Sequence, residues 1–309
     1  MHPAAPLRPF LDWPVQTDPD AWAPVPAAVL GLPFSQPYPG EPRPNEQARA
    51  PEAIRAQSGQ FCDGPDHWDF DLGGPLRGLL PDGGRDGGNL AFDPGGPALA
   101  AGVAVLRRHF ATARLGIVLG GDHGVTIPAL MALEGLGRPV HLVQIDAHID
   151  WRDHVGGARL GYSSPMRRAS EMPWISGLTQ IGLRGTGSAR AEEVAAARAH
   201  GATFVPAAEV HARGLAPVLR HLDGRGPFYL TIDADGLDPS VMPAVMGPVP
   251  GGLRLEQVLP LIRALGRQGL VGMDVVEVAP ALDLPNRITA ITAGRLVLNA
   301  IAAALAPAG

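Results

Sequence analysis

From Ala98 onward, short uninterrupted apolar runs alternate with helical stretches, and nothing else in the 309 residues constrains the fold so tightly. The runs at 115–119, 140–145, 178–183, 203–205, 228–232 and 271–276 read as strands, and 28–32 reads as a first strand before them. Residues 98–112, 126–136 and 288–305 read as helices. A strand that is apolar on both faces must be covered on both, so the pattern predicts a three-layer α/β/α fold with a mainly parallel sheet. With 46% hydrophobic residues, the chain can fill one large core, and 1–309 is expected to be a single domain. Pro-rich residues 1–26 predict an extended N-terminal arm, and 33–48 a loop. The Gly-, Asp- and Pro-rich residues 63–97 predict a long surface loop with room for one short strand.

Composition excludes several classes of function. A net charge of −5 gives no basic footprint for nucleic acid. No run approaches the roughly 20 apolar residues that span a bilayer. The first residues, MHPAAPLRPFLDWP, lack the charged and apolar regions of a secretory signal. The one cysteine, Cys62, cannot form an internal disulfide and fits a reducing compartment. Together these predict a cytoplasmic protein.

The chemistry gathers where three of the predicted strands end. Gly120-Gly121-Asp122-His123-Gly124 follows the first, Asp146-Ala147-His148-Ile149-Asp150 the second, and Asp233-Ala234-Asp235-Gly236-Leu237-Asp238-Pro239 the third. In open α/β sheets, ligands bind beyond the carboxyl ends of the strands. Extended backbone alternates its faces, so Asp146, His148 and Asp150 can point one way, as can Asp233 and Asp235. So many carboxylates in one place repel one another unless cations neutralise them. Four Asp and two His make a hard, oxygen-rich donor set that suits Mn²⁺ better than thiolate-bound zinc.

These motifs, with Asp274-Val275-Val276-Glu277-Val278-Ala279-Pro280, resemble the ureohydrolase family of arginases, agmatinases and guanidino-acid hydrolases over about residues 28–305. The resemblance implies hydrolysis of a linear guanidino or amidine C–N bond with release of urea. It implies two Mn²⁺ ions per subunit, for which Ni²⁺ or Co²⁺ could substitute. His123, Asp146, Asp150 and Asp233 would hold one ion; Asp146, His148, Asp233 and Asp235 would hold the other. Glu277 would face the substrate's guanidinium, and Asp150 would carry a proton to the leaving nitrogen. A homo-oligomer, trimer or hexamer, is implied too. The alternatives are an enzyme for another amidine or formimino substrate, or a non-catalytic paralogous subunit of a mixed oligomer.

Two positions depart from the family pattern. Gly124 stands where serine is common. Tyr162, in Gly161-Tyr162-Ser163-Ser164-Pro165-Met166-Arg167-Arg168, takes the place of a histidine credited with proton transfer or substrate contact. A tyrosine with a pKa near 10 is a poor proton carrier at neutral pH. His154 is a substitute by proximity in sequence. Residues 151–159 are expected to line the entrance, where Arg152 and Arg159 suggest an anionic far end on the substrate. Gly185-Thr186-Gly187-Ser188 lacks phosphate-loop spacing and reads as a turn with Ser188 capping the next helix.

Overall fold

The structure is a computed structural model that describes residues 1–40, 46–62, 66–79, 84–186 and 189–306. Its strands are β1 (Val25–Gly31), β2 (Trp68–Asp69), β3 (Gly74–Pro75), β4 (Arg85–Asn89), β5 (Ala113–Leu119), β6 (Val140–Ile145), β7 (Ile175–Leu183), β8 (Thr203–Pro206), β9 (Phe228–Asp233) and β10 (Leu270–Val276). Its α-helices are α1 (Ala50–Ser58), α2 (Leu76–Leu79), α3 (Leu99–Ala111), α4 (Thr126–Ala132), α5 (Pro165–Ala169), α6 (Ala191–His200), α7 (Ala207–Arg213), α8 (Ala216–Leu222), α9 (Leu255–Arg267) and α10 (Ile288–Leu305). Eight strands form one sheet in the order β4-β1-β5-β10-β9-β6-β7-β8, every pair parallel. The expected α/β/α layering is present.

Alternation along each strand builds two cores. Leu115, Ile117 and Leu119 of β5, with Leu230 and Ile232 of β9, pack on one side with α9 and α10. Val118, Leu142, Tyr229 and Val276 face the other side, where α3 and α4 cover them. Contrary to the expectation that no run approaches membrane-spanning length, the last helix, α10, is long and apolar enough to cross a bilayer, yet 67% of it is buried within the fold. Its apolarity is that of a core helix.

The structure departs from the sequence reading in local ways. Residues 63–97 hold the β2–β3 ribbon, α2 and β4, an edge strand of the main sheet. The sequence of β4, Arg-Asp-Gly-Gly-Asn, is polar and carries no apolar signal. Ion pairing to Asp86 from Arg55 of α1, at 2.8 Å and with neither side chain exposed, offsets the cost of burying it. Helix 126–136 divides into α4 and a 3-10 turn, Leu133–Leu136, that ends at Gly137. Ser188 lies outside the described residues; α6 starts at Ala191 with Arg190 as its N-cap. The N-terminal arm is extended but not loose. Phe10 is fully buried and donates its N–H to Asp86, while Ala4 pairs with Asn89 and Val15 with Asp86 along β4.

Candidate metal centre

The sheet order places β5, β10, β9 and β6 side by side. In register, Leu119 pairs with Val275, Val276 with Asp233, and Ile145 with Ile232. All four motif-bearing strands therefore stop at one level, and their following segments converge. Two non-glycine residues there, Asp150 and Glu277, have left-handed backbone, φ 46° and 63°. Such conformations cost on the order of 1–3 kcal/mol and collect at functional sites. At Gly121 a β-carbon would fall within bonding distance of the Phe34 carbonyl oxygen, which accepts from the Asp122 N–H; only glycine lets the loop after β1 close over this edge.

The six metal-ligand candidates meet. His123 Nδ1 lies 2.8 Å from Asp150 Oδ2, 3.2 Å from Asp146 Oδ2 and 3.3 Å from Asp233 Oδ2. His148 Nδ1 lies 3.1 Å from Asp235 Oδ2 and 3.4 Å from Asp146 Oδ1. Two groups that could each hold a metal ion result, His123–Asp146–Asp233 and Asp146–His148–Asp235, and Asp146 belongs to both. His123 Nδ1 is buried without a hydrogen-bond partner although three carboxylates surround it. A cation fits that orphaned lone pair and those oxygens.

The strand face that ends in Asp146 and Asp233 is polar one level below the cluster. His123 Nε2 lies 3.0 Å from Thr231 Oγ1, and the Thr231 hydroxyl donates to Asp274. Asp274 also accepts from Thr126 of α4 and from the Tyr229 hydroxyl, both at 2.9 Å. With its own proton committed to Asp274, Thr231 accepts from Nε2–H and leaves Nδ1 bare toward the cluster. On β6, Gln144 donates to Asp146 at 2.6 Å, and Gln180 of β7 in turn donates to Gln144. The sequence motifs do not include Thr231, Gln144 or Gln180, and they give Asp274 no role of its own. Their signal was there: a fully buried polar residue in an apolar strand needs a partner.

The charges show what the cluster requires. Burial, then the charge of Asp146, pushes Asp150 up to about 7. Burial, with Asp235 and Asp146, raises Asp233 far above the carboxylate range. Burial opposes charge on His148, but Asp146 and Asp235 outweigh it and push the imidazole up to about 12. The protein alone cannot ionise all of these carboxylates together; added positive charge would let it.

The remaining predicted residues divide. Glu277 sits beside the cluster, nearly buried, and burial pushes it up to about 7. Its Oε1 accepts from the His123 backbone N–H and its Oε2 from Gln47 Nε2, each at 2.7 Å. Tyr162 packs against Tyr38 in a tilted arrangement, ring centroids 4.3 Å apart and planes 39° apart, and Tyr38 borders a cavity of about 630 Å³ with Phe34, Asp93, Asp122 and Arg159. His154 is exposed, beside Asp153 at 3.5 Å, outside the cluster. Arg159 pairs with Asp153 at 3.3 Å and Glu171 at 3.7 Å, and Arg152 with Glu193 at 2.8 Å. Both entrance arginines have carboxylate partners, and Arg159 remains half-exposed at the cavity.

The family model for the Arginase family matches residues 25–303. The chain is 36% identical over 187 residues to the guanidinobutyrase of Pseudomonas aeruginosa, covering 59% of this chain but only 58% of that protein's length. It is 35% identical over 259 residues to an agmatinase of Chromobacterium violaceum, covering 81% of this chain and 75% of the other. Proclavaminate amidino hydrolase from Streptomyces clavuligerus has a similar structure, with TM-score 0.79, 28% identity and coverage of 97% and 98%. Motif, fold and site geometry agree with these matches: the chain belongs to the arginase family.

Proposed function

We propose that the protein is a binuclear manganese hydrolase that splits a guanidino C–N bond and releases urea. The observation that carries this reading is the pair of ligand groups joined through Asp146, with Glu277 anchored beside them. His123, Asp146, Asp150 and Asp233 would hold one ion, and Asp146, His148, Asp233 and Asp235 would hold the other. Oxygen-rich donors with two imidazoles favour Mn²⁺, with Ni²⁺ or Co²⁺ as substitutes. When bound, the two ions supply the positive charge that makes water nucleophilic near neutral pH. Glu277 binds and orients the guanidinium, Asp150 moves a proton from the attacking water to the leaving nitrogen, and the C–N bond breaks to give urea and an amine.

The tail of the substrate extends toward the cavity beside Tyr38 and Tyr162. Among the described residues, Arg159 is the only basic one lining it and is ion-paired, Asp93 brings a carboxyl group, and burial pushes Asp122 up to about 8. That balance supports a cationic tail of the agmatine type over a guanidino acid. Tyr162 supports a second reading, another amidine or formimino substrate, because it replaces the family's histidine. By the family resemblance the protein is read as a homo-oligomer, a trimer or hexamer, with one domain per chain and a cytoplasmic location.

Urea release by the Mn²⁺-loaded protein tests this over agmatine, arginine, 3-guanidinopropionate, 4-guanidinobutyrate and guanidine, with Asp146→Ala as control. Release from agmatine that the control abolishes is expected. Release from a guanidino acid instead would overturn the tail assignment. No release from any compound by metal-loaded protein would overturn the guanidino reading and leave a different amidine or a non-catalytic subunit.

A further inference from the structure

Gln47 is 2% exposed and lies far from every motif in the sequence, in a 3-10 turn (Gln47–Arg49) that leads into α1. Its side chain nonetheless reaches Glu277 across the top of the sheet, with Nε2 at 2.7 Å from Oε2. An ionised carboxylate can only accept hydrogen bonds, so the amide nitrogen must face Glu277 and the amide oxygen must face away. The Ser35 hydroxyl meets that oxygen at 3.0 Å and donates to it. Ser35 comes from the loop after β1, whose neighbouring Phe34 carbonyl and Gln36 N–H are bonded to Asp122. Two segments from the N-terminal quarter of the chain are thereby joined to the last motif.

The consequence for Glu277 is geometric. Among the described residues, each carboxylate oxygen accepts one protein N–H, Oε1 from His123 and Oε2 from Gln47. A carboxylate offers about four acceptor positions. One remains on each oxygen, which matches the two parallel N–H groups of a guanidinium. With only the His123 contact, the carboxylate could turn about its Cγ–Cδ bond; a second donor on the other oxygen fixes its plane.

We infer that Gln47, oriented by Ser35, is the positioning residue that holds Glu277 in the plane needed to receive a guanidinium group. The inference rests on the reading of Glu277 as the guanidinium-binding carboxylate. A neutral donor is required: glutamate at this position would set a second carboxylate against the first.

The test uses the Mn²⁺-loaded full chain and measures binding of agmatine and 4-guanidinobutyrate by calorimetry, with manganese content and thermal melting as controls. Gln47→Leu and Gln47→Glu are expected to bind the compound that wild type prefers about tenfold more weakly, with manganese content unchanged. The loss should appear in KM more than in kcat, because the guanidinium is held in both ground and transition states. Ser35→Ala, a milder change, is expected to lose about threefold through the same amide and serves if Gln47→Leu fails to fold. In a Glu277→Gln background, Gln47→Leu should cause no further loss, since it acts through Glu277. Binding by Gln47→Leu within twofold of wild type, or a further loss in the Glu277→Gln background, would overturn the inference alone. A wild type that binds neither compound overturns the guanidino reading itself, and this inference with it.

Discussion

His123 Nδ1 and Asp150 Oδ2 lie 2.8 Å apart with no hydrogen bond joining them. A lone pair and a carboxylate held this close repel unless a positive charge stands between them. Manganese should therefore stabilise the fold as well as equip it. At free metal about 100 times the dissociation constant, one site contributes about 2.7 kcal/mol. Melting should rise by about 4 °C for one filled site and about 8 °C for two on adding Mn²⁺, and fall back with a chelator. Asp146→Ala, which removes the carboxylate common to both groups, should bind fewer than two ions per chain by elemental analysis.

Thr231 connects Asp274 to His123, so Thr231→Val tests whether that link sets the imidazole's tautomer. The substitution keeps the shape and deletes the hydroxyl. By analogy with other residues that orient metal ligands, manganese affinity should fall about 10–100-fold. The stability cost, about 1–3 kcal/mol, comes from leaving Asp274 and His123 Nε2 short of a partner. Metal titration and denaturant unfolding would separate the two effects.

Away from the cluster, His109 gives the fold a pH dependence of known sign. It is wholly buried, its Nε2 3.2 Å from the Ile117 carbonyl, and burial, with the charge of Arg85, pushes it down to about 3. Folded protein keeps this ring neutral while unfolded chain protonates it near 6.5. Its contribution to stability is therefore complete above about pH 6.5 and is lost as pH falls toward 3. The slope is up to about 1.4 kcal/mol per pH unit. Urea unfolding of manganese-loaded protein from pH 7.5 to 5 should show this slope, and His109→Phe should reduce it by one proton.

Gly124 is not a neutral departure from the family pattern. A β-carbon there would lie 2.9 Å from the Leu160 carbonyl and 3.0 Å from Asp122 Oδ1. Restoring the family's serine should push the 156–161 segment outward, cost about 1–3 kcal/mol as an overpacked site, and alter KM more than manganese content. Wild-type stability and KM in Gly124→Ser would show that the segment moves freely.

What was legible in the sequence follows from which signals are local. Continuous apolar runs gave away seven of the eight strands of the main sheet, and the bursts of Asp and His at their ends named six side chains that the fold brings together. The missing strand, β4, owes its burial to Arg55, thirty positions away, rather than to its own residues. Gln47 and Glu277 illustrate the same limit, since no periodicity links a loop near the N-terminus to a strand end near the C-terminus. The pairing of Arg152 with Glu193 is likewise invisible in the sequence, because the two meet only through the tertiary fold. Tyr162 departs visibly from the family pattern, but its partner Tyr38 sits in a Pro-rich stretch with no pattern to flag it.

The N-terminal arm lies along β4, the outermost strand of one side of the sheet, with Ala4 bridged to Asn89 and Val15 to Asp86. An uncovered outer strand offers its N–H and C=O groups to any passing chain and is a seed for aggregation. The arm takes up part of that row, so residues 1–16 act as a guard as well as a tail. Trimming them to obtain a tidier protein would bare the Gly-Gly strand, whose lack of side chains leaves little else to deter intermolecular pairing.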